Sequence, residues 1–199
     1  MDLWTAVEKS IVANELGSDL QAAYRFSDPD GIHTGKSGWS FGIVQYDINN
    51  NPSAARCLAQ CGFTPDEIAA LKAQTIDDMW SMDARLREHK QIIDKWDDLQ
   101  IDECLHHVQD VADQRGFKYA DDFAICSAAD YHNQIYMSLK GRLASFCAGL
   151  GRKVTGADIY ALKMSIEWGQ KRPDDVDRRY NNIARIFGRP LMHRGKAVK

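Results

Sequence analysis

The sequence predicts a mainly α, α+β domain, a helical lobe joined to one small β-containing segment. Three observations lead there. Apolar residues recur at three- and four-residue steps over 3–12 and again over most of the chain after Pro52, the spacing of amphipathic helices. Strand-like composition is concentrated in one early stretch, 17–51, which is poor in helical periodicity and carries Gly17, Gly31, Gly35, Gly38 and Gly42. Length and composition, 199 residues with 44% hydrophobic and 27% charged, match one domain with enough apolar material for a core.

Taken in order, Asp2 caps a first helix whose apolar positions are Leu3, Trp4, Val7, Ile11 and Val12, ending near Glu15–Gly17. Within 17–51, residues 28–39 read as turn and loop, and Ser40-Phe41-Gly42-Ile43-Val44-Gln45-Tyr46 is the best strand candidate. Helices resume after Pro52. Thr64-Pro65-Asp66-Glu67 has the pattern of a capping box with proline at the first helical position. Another helix starts at Thr75 and carries Met79, Trp80, Leu86, Ile92, Ile93 and Trp96. Further helices are expected at 102–115, 120–137, 139–149, 156–169 and 174–187, with breaks at Gly116, Gly151 and 169–173. The run 123–131 is apolar on nearly every face, as a central buried helix requires. The expected organisation is a single domain over 1–199, with a β/loop segment at 17–51, a helical lobe at 52–187 and a basic tail at 188–199.

The net charge of −3 argues against general nucleic-acid binding, which needs a positive surface. The basic C-terminus, with Arg185, Arg189, His193, Arg194, Lys196 and Lys199, reads as a solvated tail or as a contact for an anionic surface. Five cysteines, an odd number without a CxxC motif, point to reduced thiols, and the four-residue step from Cys57 to Cys61 suits helix packing. No signal-peptide pattern and no span of about 18 apolar residues is present, so synthesis in the cytoplasm is expected, without stable membrane insertion. His106-His107 with Cys104 and Asp110 has the composition of a metal site, but adjacent helical histidines diverge. Neither metal nor cofactor is expected. P-loop, GxGxxG and GxSxG patterns do not occur.

The chemistry-bearing stretch is 15–47. A carboxylate at a helix end, Glu15, precedes a loop with Asp28 and Asp30, and a strand follows with Ser40, Gln45 and Asp47. Two carboxylates across a cleft are what glycoside hydrolysis uses, one delivering a proton to the leaving oxygen and one activating water. Spacing alone carries little weight, because the chain has 28 acids. The plain alternative is a solvated helix end followed by an Asp-Pro-Asp-Gly turn.

The run Ser37-Gly38-Trp39-Ser40-Phe41-Gly42-Ile43-Val44-Gln45-Tyr46-Asp47 resembles the strand motif of the lysozyme-like superfamily. It is similar to goose-type lysozymes and lytic transglycosylases, in which a helix-end Glu is followed by a Ser/Gly-rich segment leading into Gly-Leu-Met-Gln. Phage-type lysozymes and chitosanase-like muramidases share the order of helix-end Glu, hairpin Asp, and Ser or Thr before an apolar-Gly-Ile strand. Late in the chain, Trp168 and Asp177-Arg178-Arg179-Tyr180 resemble the closing helices of phage-type endolysins. Glu15 is followed here by Leu16 rather than the Ser of transglycosylases, and the loop before Gly42 is longer than in most relatives.

This resemblance implies a lysozyme-like fold whose helical lobe and β segment flank a cleft. It implies Glu15 as general acid and Asp30 or Asp28 as the base, with Asp47 a further candidate for the second carboxylate. Ser40 or Thr34 would orient the water and Gln45 would bind the sugar. Tyr24, Trp39 and Phe26 would stack on pyranose rings, with core packing the alternative for Phe26. His132-Asn133-Gln134 reads either as a lining for N-acetyl groups or as the polar face of a helix. Arg178-Arg179 reads as a clamp for a substrate carboxylate or as salt-bridge partners of Asp174, Asp175 or Asp177.

The activity implied is that of a peptidoglycan muramidase cutting the β-1,4 bond between N-acetylmuramic acid and N-acetylglucosamine by inverting hydrolysis. A lytic transglycosylase is second and a chitosanase-like glycosidase third. A noncatalytic helical interaction module is the reading from another class. The expected partners are glycan strands, and an immunity or inhibitor protein if the chain is a secreted antibacterial effector rather than a phage endolysin. A monomer that reaches the wall through holin pores or a secretion system is expected.

Overall fold

The structure, a computed structural model, describes residues 1–17, 19–28, 31 and 37–198. Among them are ten α-helices and two small antiparallel hairpins, so the chain is mainly helical as its periodicity predicts. The helices are α1 (Leu3–Glu15), α2 (Pro52–Gln60), α3 (Pro65–Lys72), α4 (Met79–Glu88), α5 (Lys90–Arg115), α6 (Asp122–Ile135), α7 (Arg142–Gly149), α8 (Gly156–Ser165), α9 (Glu167–Lys171) and α10 (Pro173–Ile186). The strands are β1 (Ser40–Phe41), β2 (Tyr46–Asp47), β3 (Leu191–His193) and β4 (Lys196–Val198), and a 3-10 turn covers Leu20–Tyr24. No described helix is long and apolar enough to cross a membrane. All five cysteines are buried and unbridged.

The chain divides into two compact units. One, the terminal unit, combines Met1–Asn14 with Ile101–Lys199; the other, the central unit, is Glu15–Gln100.

In the central unit the stretch 40–46, expected as one strand, is instead a tight hairpin. Ser40 pairs with Asp47 and Phe41 with Tyr46, and the four residues between them form the turn. Gly42 and Gln45 both adopt left-handed backbone angles there, φ +77° and +55°. Glycine does so freely, while Gln45 is held by its own side chain, whose Nε2 donates to the Gly42 carbonyl at 2.9 Å. Phe26, Phe41, Tyr46 and Phe63 are buried beneath the hairpin, with neighbouring rings 5.5–6.1 Å apart at their centroids.

The helix starts follow their caps. Asn51 accepts from the Ser53 amide ahead of α2, and the Thr64/Glu67 box closes the start of α3 as its sequence predicts. The helix expected from Thr75 is divided. Asp78 caps α4, and at His89 the chain tightens with a bond from its amide to the Leu86 carbonyl. The His89 ring turns back on the Arg85 carbonyl. From Lys90 a new helix, α5, runs unbroken to Arg115.

The core of the terminal unit forms around α6, whose residues Phe123, Ala124 and Cys126 through His132 are buried, in agreement with the apolar run in the sequence. α6 packs on α8 and α10. The helix expected over 156–169 breaks at Ile166, which is extended. Gly169 sits so close to the Lys163 carbonyl that a Cβ would lie 1.8 Å from it, so only glycine fits where α9 turns back on α8. The segment 188–199, expected as a tail, holds β3 and β4. Asn181 bonds both the amide and the carbonyl of Met192, while the Arg194 and Gly195 amides donate to Asp177 and to the Tyr160 hydroxyl.

Candidate active site

The candidate residues of the central unit lie on three short extended segments. The Ser27 and Ser40 backbones exchange two hydrogen bonds of 2.8 Å, and β1 pairs with β2, so 26–28, 39–41 and 46–48 run side by side. This register puts Ser27, Ser40 and Asp47 in one row. Side chains alternate along a strand, so Asp28, Trp39 and Ile48 share the face of the Phe26, Phe41 and Tyr46 rings. Glu15, half-buried, closes α1 at the start of this unit.

The structure separates the predicted site residues by what their polar atoms already do. Asp47 accepts from the amides of Gly38, Asn49 and Asn50 and from Asn50 Nδ2, at 2.7–3.2 Å. Burial works to raise its pKa, but these hydrogen bonds outweigh that and hold the carboxyl below its usual range. Asp47 therefore organises the turn after β2. Gln45 is bonded at both ends, to the Gly42 carbonyl and from Ser27 Oγ at 2.7 Å. Tyr24 donates its hydroxyl to Asp94 at 2.7 Å and carries Lys90 Nζ 4.6 Å above its ring. Ser40 is buried at the centre of the three segments. Phe26 takes its alternative reading and packs in the core.

Two predicted residues have capacity left. Asp28 Oδ2 accepts from Gln74 Nε2 at 3.2 Å, while its Oδ1 is buried without a hydrogen-bond partner. Trp39, its neighbour across the register, has a buried indole Nε1 that is likewise unpartnered. Asp30 and Thr34, and His33 beside them, lie outside the described residues.

His132 and Asn133 belong to the terminal unit. His132 is buried at the end of α6, stacked 4.2 Å from the His107 ring, and its Nδ1 accepts from the Met137 amide at 3.2 Å. Burial and then His107 lower its pKa to about 4, so the ring is neutral and fastens the chain where it leaves α6. His107 completes the fastening by bonding the Met137 carbonyl at 2.7 Å. Among the described residues no three His, Cys, Asp or Glu side chains are grouped as a metal site would require.

No protein-family model, curated protein or solved structure matches this chain. The chemistry of the chain is therefore read from its own residues.

Sequence reasoning passed over two buried carboxylates. Asp97 of α5 lies under the hairpin turn, accepting from the amides of Ile43 at 2.9 Å and Val44 at 3.4 Å. A Cβ on Gly42 would stand 2.7 Å from its Oδ1, so the glycine and the carboxylate specify each other. Asp130 of α6 is held by Arg179 Nη2 at 2.6 Å, Lys163 Nζ at 3.1 Å and Asn14 Nδ2 at 2.7 Å. It borders a cavity of about 10 Å³ that Ser127 and Tyr160 also line, about enough for one water. A signal for Asp130 was present, since a lone acid in an apolar helical run needs a buried cation. For Asp97 there was none, because its partners are backbone amides.

Proposed function

We propose that the chain is a lysozyme-like glycosidase that cleaves peptidoglycan glycan strands by inverting hydrolysis. Glu15 is the general acid, and Asp28 is the group that holds and deprotonates the attacking water. The observation that carries this reading is the unpartnered Asp28 Oδ1 together with the unpartnered Nε1 of Trp39, the residue opposite it in the backbone register, on the strands that follow a helix-end Glu. A buried acceptor and a buried donor without internal partners call for solvent or ligand. A water or a sugar hydroxyl, which both donates and accepts, fits the pair.

In this scheme the Glu15 carboxyl gives its proton to the glycosidic oxygen as the bond to the anomeric carbon breaks. Water attacks that carbon from the opposite face and loses its proton to Asp28 Oδ1. Asp47 is a poor candidate for the base, because four donors already occupy its oxygens.

Purified peptidoglycan digested by the wild type should release muropeptides with ends that borohydride reduces, read by mass spectrometry. Glu15→Gln should lower the rate by about 100-fold or more, the scale of general acid catalysis. Asp28→Asn should do the same if Asp28 is the base, and Asp30→Asn tests the competing carboxylate. Anhydro ends would replace the scheme with a transglycosylase in which Glu15 acts alone. Release from chitosan but not from peptidoglycan would move the substrate, and no release from either would end the glycosidase reading.

A further inference from the structure

A helix that ends on a residue in the left-handed region closes with two backbone bonds, and glycine takes that conformation without steric cost. Among the described residues four helix ends make this pair of bonds. After α2 the amides of Gly62 and Phe63 donate to the Ala59 and Leu58 carbonyls. After α5 those of Gly116 and Phe117 donate to Asp113 and Ala112, and after α10 those of Gly188 and Arg189 donate to Arg185 and Ala184. After α3 the amides of Gln74 and Thr75 donate to Leu71 and Ala70 in the same way. Here the left-handed position, at φ +54°, is filled by glutamine.

A side chain crowds the backbone in that conformation, and such strain calls for a reason outside the turn. The Gln74 side chain supplies one. It is 9% exposed, and its Nε2 donates to Asp28 Oδ2 at 3.2 Å. Both residues belong to the central unit. The backbone beside Asp28 is held without Gln74, because the Phe26 amide donates to Asp83 Oδ1 at 2.8 Å and Ser27 exchanges two bonds with Ser40. Those bonds leave the rotation of the Asp28 carboxylate open. A donor on Oδ2 settles it and leaves Oδ1 as the buried oxygen without a partner.

We propose that Gln74 is a positioning residue for Asp28, its left-handed backbone aiming a side-chain amide at Oδ2 so that Oδ1 is presented to the attacking water. The inference rests on the reading of Asp28 as the base. A displacement of about 1 Å at a reacting group can cost roughly 100-fold in rate. Removing the donor should therefore lower kcat and leave substrate binding nearly unchanged.

The test compares the wild type with Gln74→Gly, Gln74→Asn, Asp28→Asn and the double variant Gln74→Gly with Asp28→Asn, on solubilised, uncrosslinked glycan strands. The temperature is one at which circular dichroism shows every variant fully folded. Glycine relieves the left-handed backbone and asparagine tolerates it, but the first has no donor and the second is one methylene too short to reach Asp28. Expected for both is a fall in kcat of about 10- to 100-fold, with KM within about threefold. The acidic limb of the pH–rate profile should move to higher pH, since a carboxylate that loses a donor binds its proton more tightly. A crystal structure of Gln74→Gly should show the Asp28 carboxylate rotated on an unmoved strand. In the Asp28→Asn background Gln74→Gly should cost nothing further, because Gln74 acts through the carboxylate.

Unchanged kcat in both single variants, a loss confined to KM, or an equal loss in the two backgrounds overturns the proposal. An unrotated Asp28 carboxylate overturns it as well. If Asp28→Asn lowers activity while the Gln74 variants match the wild type, Asp28 stands as the base without its positioning residue. An inactive wild type, or an Asp28→Asn variant of full activity, removes both.

Discussion

Asp130 in the terminal unit and Asp97 in the central unit are the same residue in nearly the same degree of burial, 2% and 1% exposed, yet they titrate in opposite directions. Asp130 faces Arg179 and Lys163. Burial alone would raise its pKa, but those two charges and the hydrogen bonds from Arg179 and Asn14 hold it well below the usual carboxylate range. Among the described residues no cation pairs with Asp97, whose hydrogen bonds come from backbone amides. Burial pushes its carboxyl up to about 7, the Ile43 and Val44 amides oppose that only in part, and Asp94 and Asp98 add to the rise. The comparison teaches that the partner, rather than the depth, decides what a buried acid does. One is a permanent anion that fastens three helices and the end of α1. The other is an acid whose charge comes and goes near neutral pH beneath a turn.

The sharpest way to break the comparison is to neutralise the permanent anion. Asp130→Asn removes the buried carboxylate that Arg179 and Lys163 face, and the chain should lose about 3–5 kcal/mol in urea unfolding, the range found when one partner of a buried pair is removed. A loss under about 1 kcal/mol would mean that the two cations find other partners.

The second experiment follows pH. Asp97 keeps its proton more tightly in the folded chain than in the unfolded one, so its contribution is complete below about pH 4 and is lost as pH rises through about 7. Asp130 has the opposite sign, its contribution present above about pH 4 and lost as pH falls further. Between pH 4 and 8 the wild type should therefore lose stability by on the order of 2–4 kcal/mol on account of Asp97. Asp97→Asn should flatten that slope, while its Nδ2 can no longer accept from one of the two turn amides. Parallel slopes in urea melts of the two proteins would show that Asp97 titrates normally.

The smallest effect concerns the turn itself. Gly42→Ala places a methyl group 2.7 Å from Asp97 Oδ1 at a φ of +77°, and a cost of about 1–3 kcal/mol is expected. The cost should shrink in the Asp97→Ala background, where the clash is gone and only the backbone strain remains. Equal costs in both backgrounds would separate the glycine from the carboxylate.

Much of the helical framework was legible in the sequence because its signals are local. Asp2 bonds the Thr5 amide at 2.9 Å, the Thr64 box forms, and 123–131 is the buried centre of α6. Breaks were harder to read. Ile166 leaves the helix where Gly169 closes on the Lys163 carbonyl, and the 40–46 run folds back where a buried acid 54 residues away accepts from the Ile43 amide. The second partner lies 54 residues along the chain from its effect. The site was legible only as residue types. Asp28, Asp47 and Gln45 looked alike as candidates, and what separates them is how many donors each side chain already serves.

The sequence by itself determined where the capped helices α1 and α3 begin, which run is buried, and that an acid ends the first helix, because capping and periodicity depend on residues three or four apart. Only the tertiary structure decided which polar groups are already satisfied and which retain capacity for a ligand. Hydrogen bonds to distant backbone and to cations on other helices settle that, and their partners meet only once the chain has folded.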